Sequence, residues 1–210
     1  MTAPTARIAS SADVARRLQP VVVGGDILAY SYVRELHRAY GIERTIVLAT
    51  QDIKMLSSSR FTDYRLEPLI HDPEDLYDAL ERVAAQVRAD DPDRVLLVLG
   101  CDDCHARMLS SGKLRLEAAG YTVPYIDFDL LDDITQKRRF YELCEQLDIP
   151  FPRTWYFDCG PDGPEELPVE EFPYPLIAKP SNSAQFQDAT IARKRKILSL
   201  IHISEPTRPY

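Results

Sequence analysis

The stretch Arg94–Asp103, R-V-L-L-V-L-G-C-D-D, decides how the front part of this chain folds. Its apolar run is continuous rather than alternating, so a strand here must be buried on both faces, the condition of a parallel sheet. It ends on a glycine before a helical region that reaches Ala119 and stops at Gly120. Working backward, Pro20–Gly25, P-V-V-V-G-G, has the same form. Asp26 can cap the helix after it, whose Ala29, Val33, Leu36 and Tyr40 make a core stripe ending at Gly41. Arg44–Thr50 reads as a second strand and Tyr64–Leu66 as a short one. Asp72-Pro73 opens a helix with Leu76, Leu80, Val83, Ala84 and Val87 on its core face. Forward, Val123–Ile126 reads as a further short strand.

Strand and helix alternate from residue 20 to about 130 with short links. That order predicts an α/β fold, an open parallel sheet in a Rossmann-like domain with helices on both faces. Ligands in such sheets sit at the carboxyl ends of the strands. Those ends carry Gly24-Gly25-Asp26, Thr50-Gln51-Asp52 and Gly100-Cys101-Asp102-Asp103. Residues 1–19 read as a flexible leader.

Composition sets bounds. The 210 residues are 45% hydrophobic and 28% charged, an ordinary globular mixture, and the net charge of −8 argues against nucleic acid or an anionic membrane as partner. No stretch has the roughly 18 apolar residues of a membrane span, and the first residues lack the apolar core of a signal peptide. The expected location is cytoplasmic, with reduced cysteines.

Several motifs carry less than they suggest. Cys101-Asp-Asp-Cys104-His105 has the form of c-type haem attachment, but that chemistry belongs to exported proteins, and the residues directly follow a buried strand. A structural zinc site would need a second ligand pair, which Cys144 and Cys159 do not supply at finger-like spacing. No metal ligands are assigned in this chain. Gly24-Gly25-Asp26 is not G-x-G-x-x-G, which disfavours a nicotinamide or flavin cofactor. Its glycines could admit a ligand's carboxylate to the following helix, or serve only a tight turn. Ser57-Ser58-Ser59-Arg60 is an anion-binding turn or a solvated loop.

Past residue 131 the composition changes. Asp133 with Gln136 resembles a capping box, and Phe140, Leu143, Cys144 and Leu147 share one face of a predicted helix that Pro150 and Pro152 end near Asp148. Strands are expected around Thr154–Phe157 and Leu176–Ala178. Lys179 follows the second of these and precedes Pro180-Ser181-Asn182-Ser183, a point charge beside a small polar loop that could contact phosphate.

As an ordered set these features resemble the ATP-grasp superfamily. Its members carry a Rossmann-like domain, a helix opening with lysine and ending in "(G/D)-I-P-x-P-x-T", and a strand "P-hydrophobic-(V/A)-K-P". Here those are Lys137, Asp148-Ile149-Pro150-Phe151-Pro152-Arg153-Thr154, and Pro175-Leu176-Ile177-Ala178-Lys179-Pro180. The G-G-D-I-L-A-Y-S start, S-S-S-R-F-T-D-Y and K-P-S-N-S look like carboxylate–amine ligases similar to D-aspartate ligase, which act on a cell-wall precursor.

The resemblance implies amide formation through an acyl phosphate, with ATP and Mg2+ as cofactors. Lys137, Lys179, Ser181, Asn182 and Ser183 would bind ATP. Gly24, Gly25, Asp26 and Arg60 would meet the amino-acid or carboxylate substrate, and an amine acceptor and a homodimer are among the implied partners. The family's acidic magnesium ligands lie well downstream of the second lysine, so residues 131–197 are expected to be a truncated first ATP-grasp subdomain, and the catalytic residues to lie beyond this chain. Leu198–Arg208, L-S-L-I-H-I-S-E-P-T-R, reads as translated sequencing-library adapter, and residues 198–210 are expected to be an artefactual tail. The alternative is a non-catalytic nucleotide- or ligand-binding Rossmann-like module.

Overall fold

A computed structural model of the chain describes residues 10–157, 159–160, 163–164, 172–173, 175–178 and 196–198. The chain divides into two compact units between Leu131 and Asp132.

The first unit opens with α1 (Ser11–Arg17), where an unstructured leader was expected. Ser10 caps it, accepting the Asp13 amide and donating its hydroxyl to the Asp13 carboxylate, so a short polar segment becomes helical through its own side chains. β1 (Leu18–Val23) follows directly, then α2 (Ile27–Tyr40), β2 (Thr45–Ala49), α3 (Lys54–Ser57), β3 (Thr62–Leu66), α4 (Pro73–Asp90), β4 (Val95–Gly100), α5 (Asp103–Ser111), α6 (Lys113–Ala118) and β5 (Tyr121–Thr122). All neighbouring strands pair parallel, in the order β3-β2-β1-β4-β5. The unit is a Rossmann-like α/β fold.

The pleat distributes the valines. Val21, Val23, Ile46, Leu48, Leu96 and Val98 point to one face, where Leu76, Leu80 and Val83 of α4, Leu109 of α5 and Leu116 of α6 cover them. Val22 and Val47 point to the other face and pack against Ala29, Val33 and Leu56 of α2 and α3. Val21, Val22 and Val23 are fully buried, which is why that run carries no polar alternation. α6 is clamped to α4 by Arg115, which reaches Glu74 at 2.9 Å, Asp78 at 2.6 Å and Glu81 at 2.7 Å.

The last strand differs from expectation. β5 is Tyr121–Thr122, starting straight after Gly120, rather than Val123–Ile126. Pro124 has no amide to donate to a ladder. The Tyr125 and Ile126 carbonyls instead accept the Lys113 ammonium and the Ser110 hydroxyl.

α7 (Phe128–Thr135) leads into the second unit, which contains α8 (Lys137–Gln146) and the short antiparallel pairs β6 (Cys159–Gly160) with β7 (Gly163–Pro164) and β8 (Leu176–Ala178) with β9 (Lys196–Leu198). The expected capping box does not form, because Asp133 lies inside α7 and Gln136 interrupts the two helices. Of the proposed core face of α8 only Cys144 is fully buried, and Phe140 and Leu147 are exposed. The helix does end as predicted, before Pro150. Asp148 adopts φ +53°, its amide donates to the Glu145 carbonyl and the Ile149 amide to that of Cys144, a Schellman stop. No strand forms over Thr154–Phe157; Trp155 and Phe157 instead pack on the Phe172 ring.

Candidate functional site

The strand order places a topological switch point between β1 and β4. α2 leaves β1 for one face of the sheet and α5 leaves β4 for the other, so the loops part over the strand ends. The crevice is built from Gly24, Gly25 and Asp26 on one side and Gly100, Cys101, Asp102 and His105 on the other.

Its floor is backbone, closely packed. The Gly24 amide donates to the Leu48 carbonyl and the Cys101 amide to that of Val23, tying the loop to the sheet. Gly24 holds φ +135°, which side chains rarely adopt, and a Cβ there would lie 2.8 Å from Cys101 Cβ and 2.9 Å from its Sγ. A Cβ at Gly100 would meet His105 Cβ at 2.6 Å. Both glycines are required by space, and Gly24 by conformation as well.

Both helices that start at the crevice are capped by carboxylates. Asp26 Oδ1 accepts the amides of Leu28 (3.0 Å) and Ala29 (3.1 Å). Asp102 Oδ1 accepts the His105 amide at 2.8 Å, and His105 Nδ1 lies 3.1 Å from the same oxygen, at ion-pair distance but outside hydrogen-bonding alignment. The His105 ring and amide hold the Asp102 carboxyl below the usual range, against the opposing effect of burial. Between the two carboxylates, burial pushes the Cys101 thiol up to about 12, with Asp26 and Asp102 adding to the shift. Cys101 is therefore a neutral packing group and not a nucleophile. Tyr125 completes the wall, its hydroxyl accepting the Gly100 amide at 2.7 Å and its own ionisation suppressed by burial.

Of the two readings of Gly24-Gly25-Asp26, a carboxylate-admitting helix start or a tight turn, the Asp26 side chain bears on the first, because it already occupies the Leu28 and Ala29 amides of α2. A crevice with a carboxylate at each helix start favours an ammonium or a neutral donor. Gly24, Gly25 and Asp26 lie together, as expected, but Arg60 does not join them. The Phe61 carbonyl accepts the amide of Thr45, the first residue of β2, and the Arg60 guanidinium lies 4.7 Å over the Phe61 ring, which itself packs 4.2 Å from His37 near the end of α2. That is the amino-terminal edge of the sheet, opposite the crevice, because α3 and its turn have carried the chain back across. Ser57, at the end of α3, donates to Asp52, and Ser59 accepts the Phe61 amide.

Cys101, Asp102, His105 and Tyr125 received no assigned role from sequence. The strand-end position of Cys101 and Asp102 was the available signal for those two; nothing in the spacing could have placed Tyr125 under the Gly100 amide.

In the second unit Lys137 is the first residue of α8, whose start has no side-chain cap and no acidic residue in its first turn. Lys179, Ser181, Asn182 and Ser183 lie outside the described residues. Among the described residues, no group of three or more His, Cys, Asp or Glu side chains could hold a metal ion, and no helix is long and apolar enough to cross a membrane.

No protein-family profile matches the chain. Over 185 residues it is 26% identical to the D-aspartate ligase of Enterococcus faecium (strain Aus0004), an alignment covering 86% of this chain and 42% of the relative. The chain thus spans less than half the length of the curated relative it matches. The similarity supports a relationship to ligases.

Proposed function

We propose that this chain is the amino-terminal part of an ATP-dependent carboxylate–amine ligase of the ATP-grasp type, related in activity to D-aspartate ligase, and that the parent enzyme forms an amide through an acyl phosphate. The alignment with a ligase across 86% of the chain carries this reading. The ordered Lys137, Asp148–Thr154 and Pro175–Pro180 motifs support it.

The start of α8 suits a polyphosphate. Gln136 does not cap this helix with its side chain, and Lys137, Arg138 and Arg139 follow in series. In this reading Lys137 holds the nucleotide, Lys179 adds a second cation, and Ser181–Ser183 contribute donors from a loop. ATP, when bound, supplies the phosphoryl group that activates the carboxylate. Among the described residues, no group of three or more His, Cys, Asp or Glu side chains offers magnesium a ligand set.

Asp26 and Asp102 fix the orientation of the substrate taken by the first unit. Their carboxylates attract the ammonium of an amino acid or amine. The test is hydroxamate formation. The parent enzyme, given ATP, D-aspartate and hydroxylamine, is expected to release a hydroxamate together with ADP. Absence of both products with every carboxylate offered would refute the ligase assignment.

A further inference from the structure

Asp102 caps α5 and His105 is its third residue, the spacing at which the opening side chains of a helix turn back on one another. Asp102 Oδ1 accepts the His105 amide at 2.8 Å, and the His105 ring folds over the same oxygen with Nδ1 3.1 Å away. Nδ1 is enclosed and makes no hydrogen bond. A bare lone pair there would face a carboxylate oxygen shielded from solvent, which is repulsive, whereas a proton on Nδ1 makes the approach attractive. In a neutral ring protonated on Nδ1, the lone pair belongs to Nε2. The side chain is 17% exposed, and none of that exposure is at Nδ1. Cε1 lies 3.4 Å from the point a Cβ would take at Gly24, so the ring stands against the floor of the crevice. The titratable groups around it are Asp26 on the α2 side, Asp102 with the neutral Cys101 thiol beside it, and Tyr125, whose hydroxyl holds the Gly100 amide.

We propose that Asp102 holds the His105 proton on Nδ1 and that His105 Nε2 is the general base for the amine nucleophile. A primary amine is an ammonium at neutral pH and has no lone pair with which to attack. Nε2 takes one proton from it, and the Asp102 carboxylate, as the positioning group, balances the imidazolium that forms. The freed amine attacks the acyl-phosphate carbonyl. The C–N bond forms, and the C–O bond to phosphate breaks. Phosphate leaves with that electron pair and the second proton of the nitrogen, and His105 passes its own proton to solvent. The assignment rests on the ligase reading above and places the amine at this crevice.

Two measurements test it. In nitrogen-15 NMR of the full chain, neutral His105 is expected to carry its proton on Nδ1. Asp102→Ser, which keeps a capping oxygen but removes the carboxylate, is expected to move that proton toward Nε2. A proton already on Nε2 in the unsubstituted chain, or a tautomer unmoved by Asp102→Ser, overturns the dyad. In the parent enzyme, hydroxylamine attacks as the free base at neutral pH, whereas n-butylamine arrives protonated. His105→Gln is expected to slow n-butylamide formation about 100-fold more than hydroxamate formation, and Asp102→Ser to change the ratio in the same direction. Equal losses of the two products in both variants overturn the base assignment. So does a parent enzyme that uses hydroxylamine but not n-butylamine at any pH, while one that uses neither overturns the ligase reading itself.

Discussion

Gly24 is where space and conformation make the same demand. Its φ of +135° and the 2.8 Å approach of Cys101 mean that even a methyl group must displace the β4–α5 turn. Gly24→Ala is expected to destabilise the first unit by about 3 kcal/mol, combining overpacking with backbone strain. Urea denaturation measures this, and a loss below about 1 kcal/mol would show that the turn relaxes. Asp102 makes a prediction in pH. Its folded pKa lies below that of the unfolded chain, so the native state binds fewer protons. Its stabilising increment is complete above the ordinary aspartate pKa of about 3.9 and is lost as pH falls through the folded value. Asp102→Asn keeps a competent cap but removes the titration. The gap in urea midpoint between parent and variant is therefore expected to be constant near neutrality and to close below about pH 4; a gap independent of pH would contradict the assignment.

At the scale of elements, the stop of α8 turns on Asp148, the first residue of the sequence D-I-P. Asp148 sits in the left-handed region, which glycine enters freely and aspartate at moderate cost. Asp148→Gly is expected to stabilise the second unit by about 1 kcal/mol, and Asp148→Val to destabilise it by more. The fluorescence of Trp155, the single tryptophan, reports the transition. A loss of stability in the glycine variant would mean that the carboxylate does more than tolerate the turn. The same elements show what the sequence could and could not convey. α2 with its Asp26 cap and Gly41 stop, and α4 with Asp72 and Pro73, were legible because their end signals are local. The α7–α8 break was not, since the segment around Gln136 contains neither proline nor glycine. Arg60 was misplaced because pattern reading finds the loop but not the edge of the sheet to which α3 returns it.

For the whole molecule, every buried residue of both core clusters of the first unit comes from residues 21–123, and none from beyond Leu131. A fragment ending at Leu131 is therefore expected to fold alone, with a dispersed amide spectrum and one cooperative urea transition. A collapsed spectrum without a transition would mean that the second unit is needed for the first to form. The parallel sheet itself was readable from alternation and uninterrupted apolar runs. The crevice was readable only as a rule about strand ends. Its acidic character depends on which oxygen atoms the caps consume, and that appears only when the helices are in place.

The position of β1 at the centre of the sheet has a consequence for synthesis. Val21–Val23 leaves the ribosome early, yet its neighbour on one side, Val98–Gly100, is encoded far downstream. At translation rates of about 5–20 residues per second, the gap between Leu18 and Val95 lasts on the order of 4–15 s. During that time a run of three valines, destined to be fully buried, has no completed sheet to enter. The nascent chain thus carries an apolar segment that waits for its β4 partner, and slow codons between Asp52 and Arg94 would lengthen its exposure.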